Sequence, residues 1–518
     1  MRHLFPLFIV LSCLLTFLPG CEPKEDMVQT SGSLELAADT VLFDTVFTTI
    51  KTVTKRLWVY NRNAGAVKTD VSLGGTAGST YSLVINGDAG PAVGGVTIRG
   101  KDSLLVLVRA VLGDNGQATT PKQFIVTDEV RFRTNGNEQS AKLVAYGQNA
   151  YFHRADIISA NTTWRTDKPH VIFNASKVLR GQTAPSTFGV LVEPQATLTI
   201  PSGARIYSHA GALLLVGGRL LVGQNFLPGT GPTDTVKATN PNIVRFQGDR
   251  LEPFYADIPG QWGGIVFTAG SSGNRIRYAE IKNATFGTLL FNPEGDPNAR
   301  PNLRLENTVI KNISGSNISF ANATASAGGG VISYSGDVTA TNCLFTNCGE
   351  YAVVGVGGGV YDFNFCTVAN FTPSFRRETS SFSFTNEKAT DERVKLFTDI
   401  RIRNSIVWGS FDDELFFKNY TGTAADYKVV ITNSLLRTKE YATTPSVIGG
   451  ASANNLVNED PLFKRTSLVS SRPDYSLQLT SPSAVRRSVA AGPPPHLPDL
   501  LNLQRLAQPS MGAYEFKP

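Results

Sequence analysis

Cysteine, methionine and tryptophan are scarce in this chain, with five, three and four among 518 residues. So few cysteines in so long a chain exclude a disulfide scaffold. Charged residues make up 17%, where about a quarter is usual in globular domains. The Ala/Glu/Lys/Leu runs that build coiled coils and helical arrays are missing. Histidine is sparse too: His3, His153, His170, His209 and His496 are scattered without ligand spacing, which speaks against a zinc site. The formal charge of +6 is spread along the chain, without the basic strip or tail of a nucleic-acid binder. No P-loop, dinucleotide fingerprint or serine-nucleophile motif occurs. What is present is 41% hydrophobic residues and 48 glycines, with Val, Thr, Ile, Phe and Asn prominent. Disorder is thereby excluded as the main state, and an all-β protein is expected.

The first residues set the compartment. Arg2 and His3 precede an apolar stretch from Leu4 to Leu18, followed by Pro19-Gly20-Cys21. A basic start, a short apolar stretch and a small residue before the cleavage point make a secretory signal over residues 1–20, too short for a spanning helix. Gly20-Cys21 resembles a bacterial lipobox, with Pro19 standing where a small residue is usual, and that resemblance implies lipidation of Cys21. Glu22-Pro23-Lys24-Glu25-Asp26 resembles the charged tag of Bacteroidota surface lipoproteins. The expectation is a lipid-anchored outer-membrane protein at the cell surface, held to the membrane by its lipid alone.

Residues 21–33 read as a polar tether. From 34 to 148, strands such as Leu57-Trp58-Val59-Tyr60, Tyr81 to Ile85 and Leu143 to Tyr146 alternate with turn signals such as Asn86-Gly87 and Asn135-Gly136. Short strands at this spacing predict an immunoglobulin-like β-sandwich.

A repeat follows over residues 149–480. Tyr278 to Asn283 aligns with Asn307 to Asn312, Asn342 to Asn347, Phe365 to Asn370, Asn404 to Gly409 and Asn433 to Thr438. The second column is always small and the fourth always large and apolar. In a strand these two columns face inward together, and the third and fifth face out. The sixth column is Asn in four of the six, suited to a left-handed turn that can hydrogen-bond its stacked neighbour. Repeat spacings from 23 to 39 residues are too irregular for leucine-rich or propeller repeats. One strand column with variable returns predicts a right-handed parallel β-helix, each coil adding about 4.8 Å. Residues 481–518 are expected to cap its open end. Cys343 and Cys366 share an inward column one repeat apart, where either a disulfide or a thiol ladder fits.

Several segments resemble known proteins. Ala196-Thr197-Leu198-Thr199-Ile200-Pro201-Ser202-Gly203 and Gly260-Gln261-Trp262-Gly263-Gly264-Ile265 resemble the opening coils of right-handed β-helix lipoproteins of Bacteroidota. Phe43 to Thr49 is similar to the start of the N-terminal domain in that group. The tail, with Asp460-Pro461-Leu462-Phe463, Asp499-Leu500, Arg505 and Gly512-Ala513-Tyr514-Glu515, resembles the end of many secreted parallel β-helix proteins. The resemblance implies a pectin-lyase-like fold and a cell-surface setting. It implies no settled activity.

Such folds often act on polysaccharides. Hydrolysis needs two carboxylates flanking the glycosidic bond, but of the polygalacturonase-type motifs only an Asp-Asp pair, Asp412-Asp413, is present, and no Gly-His-Gly accompanies it. A lyase needs a base near neutrality and a cation to neutralise the uronate. The outward fifth column offers Lys282, Lys311, Trp408 and Arg437, with Glu280 one outward position earlier. Of these, Lys311 and Arg437 are the catalytic candidates, and all five are candidates for binding. Asp412, Asp413 and Glu414 are the candidate ligands for Ca²⁺; no other cofactor is implied. The sequence thus favours a surface lipoprotein that binds extended carbohydrate or another surface polymer and no nucleic acid. A polysaccharide lyase is the second reading, and a structural or adhesive protein the third.

Overall fold

The computed structural model describes residues 25–48, 50–75, 80–113, 124–181, 183–226, 240–315, 318–320, 323–325, 328–372, 377–388, 390–420, 426–467, 473–488 and 498–517. The leader and Cys21 lie outside them, as does the proline run of the tail. The chain divides into two compact units at residues 149/150.

The first unit is a β-sandwich of two five-stranded sheets. One sheet runs in the order Glu35–Leu36, Lys55–Tyr60, Ser103–Ala110, Tyr81–Ile85, Asp88–Gly90; the other in the order Thr40–Phe47, Asn137–Gln148, Phe124–Thr134, Val67–Leu73, Ala92–Ile98. Alternation sends Leu57, Val59, Val71, Phe132 and Leu143 into the core between the sheets. The expected tether is, from Glu25 onward, part of this unit. Val28 bridges Ala66, the Gly100 amide donates to the Glu25 carbonyl, and the Gln29 amide donates to the Ala66 carbonyl.

The second unit is the expected parallel β-helix. Three all-parallel sheets of eleven, nine and nine strands stack coil on coil. Face I runs from Tyr151–Arg154 through Ala279–Lys282, Val309–Ile313, Leu344–Cys348, Thr367–Asn370 and Ile406–Gly409 to Leu456–Val457. Face II begins at Asp156–Ile158 and ends at Leu415–Lys418, and face III begins at Thr162–Thr163 and ends at Tyr427–Thr432. The small and large columns of the repeat point inward: Ala279, Thr308, Cys343, Cys366, Ser405 and Ser434 with Ile281, Ile310, Phe345, Val368, Val407 and Leu436 are all buried. Cys343, Cys348 and Cys366 are free thiols in this core, so the disulfide alternative does not hold.

Asparagines turn the corners. Asn283, Asn312 and Asn347 have φ of +62°, +55° and +50°, and their side chains form a ladder from Asn347 to Asn312 (2.8 Å) and on to Asn283 (3.3 Å). The first column, entering face I, is left-handed too, with φ between +45° and +54° at Asn307, Asn342, Asn404 and Asn433. Asn tolerates this conformation, whereas Tyr278 and Phe365 adopt it against their bulk. Packing holds them there: Phe226 stacks on Tyr278 at 4.1 Å, and the Arg505 guanidinium lies 3.9 Å from the centre of the Phe365 ring.

The C-terminal tail does not cap the solenoid's end; it lies along the outward side of face I. The last coil is instead filled by Tyr441, with Val447 and Ile448 packed beside it. The outward third column is apolar at Val309, Leu344, Ile406 and Leu435, and these join Ala369 and Trp408 in a second core completed by Phe463, Tyr475, Leu477, Val485, Leu500, Met511, Ala513 and Phe516. Each large apolar side chain buried this way contributes about 2 kcal/mol. Hydrogen bonds fix the alignment. Asn307 Nδ2 donates to the Asp499 carbonyl (2.8 Å), Asn342 Nδ2 to the Pro498 carbonyl (2.8 Å), and the Gly512 amide to the Asn404 carbonyl (2.8 Å).

Arg505 is the centre of this seam. Its side chain is fully buried and donates to Asn342 Oδ1 (2.7 Å), the Gly512 carbonyl (2.8 Å) and the Ser510 carbonyl (3.2 Å). It also pairs with Glu515 at 3.3 Å. Asp499 accepts from the amides of Leu501, Leu503 and Glu515. Removing one partner of a buried pair strands the other charge. Arg505→Ala is therefore expected to lose about 3–5 kcal/mol in equilibrium urea unfolding of the β-helix. A loss under about 1 kcal/mol would show the tail to be loosely attached.

Candidate functional site

The five outward candidates fall into two groups. Glu280, Lys282 and Lys311 lie on neighbouring strands, whereas Lys311 and Arg437 are four strand steps apart on face I, about 19 Å at the usual spacing. No single groove joins them.

In the first group Glu280 is the hub. It is 4% exposed and takes Lys311 Nζ at 2.7 Å and Arg245 Nε at 3.0 Å. Lys282 Nζ donates to the Ala256 carbonyl (2.8 Å) and Asn283 Nδ2 to the same carbonyl at 3.0 Å, so the return loop covers the cluster. Burial raises the Glu280 carboxyl, but Lys311, Lys282 and Arg245 together outweigh it and hold it at about 2. Burial lowers Lys282, with Glu280 opposing. Lys311, a catalytic candidate from the sequence, is committed here to an internal ion pair, because a buried carboxylate requires compensation.

The second group lines a cleft of about 610 Å³ formed by Trp408, Arg437, Asp412, Lys439, Asp460 and neighbours from the 458–478 segment. Trp408 is 8% exposed, and Arg437 lies 5.2 Å from its ring centre. Trp408, a binding candidate from the sequence, is not an open stacking platform: it packs in the core that the tail completes, and Arg437 lies against its ring. Arg437 in turn is held by Asp412 (2.8 Å) and the Gly409 carbonyl (2.5 Å). Lys439 and Asp460 are exposed at the rim.

The three acidic residues diverge instead of forming a Ca²⁺ site. Asp412 bridges Arg437 and Lys439. Asp413 caps a turn by accepting from the amides of Lys439 (2.6 Å) and Glu440 (2.8 Å). Glu414 points inward, fully buried, onto Arg377 at 2.6 Å and the Ser381 amide at 3.2 Å. Among the described residues no group of three His, Cys, Asp or Glu is placed to hold a metal ion.

The histidines that looked scattered are in part together. The first two coils stack Tyr151 beside His170 and His153 beside Ile172, which brings His153 Nε2 within 2.9 Å of His170 Nδ1. His153 Nδ1 lies 2.8 Å from Asp156 Oδ2, and His170 Nε2 lies 2.8 Å from the Arg165 carbonyl. Trp164 stacks on both imidazoles, at 4.6 and 4.2 Å. A carbonyl only accepts, so His170 Nε2 carries a proton and its Nδ1 receives one from His153. The bond to Asp156 then requires a third proton, one more than two neutral imidazoles carry. Burial works against that charge at His153 and Asp156 works for it, leaving His153 below its ordinary value. Burial likewise pushes His170 down to about 4. These side chains border a second cleft of about 550 Å³ with Tyr151 and Lys177. Coils of differing length hid the pair, since sequence separation does not give register.

No protein-family model and no curated protein matches the chain. Among solved structures it is similar to the ASH/PapD-like domain 7 of human CEP192, at 12% identity and TM-score 0.16 over 23% of this chain and 87% of that one. It is also similar to a family 123 glycoside hydrolase from Clostridium perfringens, at 8% identity and TM-score 0.16 over 24% of this chain and 30% of that one. Similarity of this extent assigns no activity.

The histidine pair has a pH consequence. Its folded pKa values lie below the unfolded value of about 6.5, so its stabilisation is complete above that pH and is lost as the pH falls toward about 4 at His170. That corresponds to about 3 kcal/mol for His170. Trp164 fluorescence is expected to change with a midpoint well under pH 6.5, and His170→Gln is expected to remove that transition. A midpoint at or above 6.5 would contradict the buried, stacked arrangement.

Proposed function

We propose that this protein is a surface lipoprotein, anchored through Cys21, whose β-helix binds extended carbohydrate or another surface polymer at the Trp408–Arg437 cleft. One observation supports this most directly. Where the tail leaves the flank of face I uncovered, a guanidinium, an ammonium, two carboxylates and an aromatic edge line one open cleft. Concave sites with a few polar groups set around an apolar surface are the usual form of ligand sites. Among the described residues no helix is long and apolar enough to cross a membrane, and the lipid on Cys21 would supply the attachment.

The chemistry of the cleft favours binding over β-elimination. Arg437 is tied to Asp412. Asp412 also raises the Lys439 amine, the wrong direction for a base, which must shed its proton near neutrality. Lys311, the other catalytic candidate, is held by Glu280 away from this cleft.

Residues 22–518 should bind at least one polysaccharide of an acidic and neutral panel saturably, without the ultraviolet absorbance of unsaturated ends. Lys439→Ala with Asp460→Asn is expected to weaken that binding about tenfold, or about 1.4 kcal/mol. Turnover would make the protein a lyase, and absence of saturable binding across the panel would leave the scaffold reading.

A further inference from the structure

The three faces of the β-helix differ in what covers them. The later coils of face I, from Val309 to Leu435, are covered by the tail. Face II carries an outward apolar row, Val266, Leu289, Ile332 and Val354, that is itself buried. Face III is open: along one outward row the strand register runs Arg275, Arg304, Thr339, Asp362, Arg401 and Val430, of which Arg304, Thr339, Arg401 and Val430 are exposed.

Charge on this face is unevenly matched. On the later coils it is paired one to one, Arg403 with Asp362 at 2.6 Å and Arg401 with Asp399 at 2.6 Å, while Arg300 takes Asp337 at 2.9 Å. On the earlier coils a single carboxylate serves three guanidiniums. Glu306, side chain 3% exposed, receives Arg275 at 2.6 Å, Arg304 at 2.6 Å and Arg277 at 3.6 Å. Arg277 Nε is buried without a hydrogen-bond partner. One strand earlier, Arg219 donates to the Ser272 carbonyl at 3.4 Å. Its guanidinium lies over Gly273, where a Cβ would come within 2.8 Å of Arg219 Nε, so the missing side chain lets Arg219 lie flat against the next coil. Three arginines face one carboxylate, and Arg219, two residues off their row on the strand before, adds a fourth guanidinium, all within three successive strands, roughly 10 Å of sheet.

We propose that the Arg219–Arg275–Arg304 stripe of face III is a binding site for an extended anionic polysaccharide, distinct from the cleft beside Trp408. Guanidinium groups spaced one coil apart meet carboxylate or sulfate groups bidentately along a chain parallel to the helix axis. Glu306 holds Arg275 and Arg304 in place while neutralising only one of their charges. Further along, Thr339, Thr341 and Asn364 offer hydroxyl and amide partners for sugar hydroxyls. No aromatic residue stands in these outward rows, and single-stranded nucleic acids are usually held by stacking on aromatics. Polysaccharide is therefore the favoured polyanion. The site stands on its own geometry and does not depend on the cleft reading.

The test uses residues 22–518, polygalacturonate, dextran sulfate, neutral dextran and duplex DNA, with calorimetry at low salt and at about 0.5 M salt. Binding to either anionic glycan but not to neutral dextran is expected, weakening at high salt, and whichever polymer binds identifies the anion as carboxylate or sulfate. Arg219→Ala with Arg304→Ala, both on exposed side chains, should lower the affinity at least tenfold with thermal unfolding unchanged. The variant Lys439→Ala with Asp460→Asn should leave it intact. Unchanged affinity in the arginine variant, failure to bind either glycan, or equal affinity for duplex DNA would overturn the assignment. Loss in the Lys439 and Asp460 variant alone would overturn it while leaving the cleft reading in place.

Discussion

The arrangement of this β-helix depends on one buried cation. Arg505 is carried by the tail yet sits against much earlier coils, at Asn342, 163 residues before it, and at Phe365. Removing a guanidinium from water costs several kcal/mol unless its donors are met. Here Asn342, Gly512, Ser510 and Glu515 take its two terminal nitrogens, while Nε is buried without a partner. Burial nonetheless lowers Arg505 to about 10 and raises Asp499 and Glu515, the mark of charges kept dry by close packing. This polar seam specifies one position of the tail on the sheet, while the apolar pairs around it supply most of the attraction.

Sealing face I has consequences for function. A solenoid offers several outward faces, and a ligand can use only those the chain does not cover. The tail covers the outward positions at Leu344, Ala369 and Ile406, and the return loop reaches Lys282 and Asn283. The cations that the repeat displayed as a single line are thus divided between an internal ion cluster and a flanking cleft. The open cationic surface lies one corner away, on face III.

The inward columns were legible in sequence because burial restricts both size and polarity at every coil. The asparagine ladder was legible for a similar reason: few residues adopt φ near +55° and also bridge to the coil above. The tail's role was not read, although its sign was present. An outward column of Val309, Leu344, Ile406 and Leu435 is as apolar as an inward one, and an apolar outward column requires a cover. Tyr278 and Phe365 broke the asparagine pattern at the first column and hid that corner. The His153–His170 pair and the arginines around Glu306 were missed because they meet through register between coils of unequal length. Register follows from stacking, not from spacing along the chain.

Hydrogen–deuterium exchange on residues 22–518 bears most directly on whether the tail is an integral layer of the fold. If it is, the amides of Leu500, Met511 and Ala513, which bond to Ala513, Val485 and Thr367, will exchange as slowly as those of strands Leu344–Cys348 and Thr367–Asn370, and will open together with them under mild denaturant. Complete exchange of the tail amides within seconds, with those strands still protected, would contradict the sealed face and return the outward columns of face I to solvent.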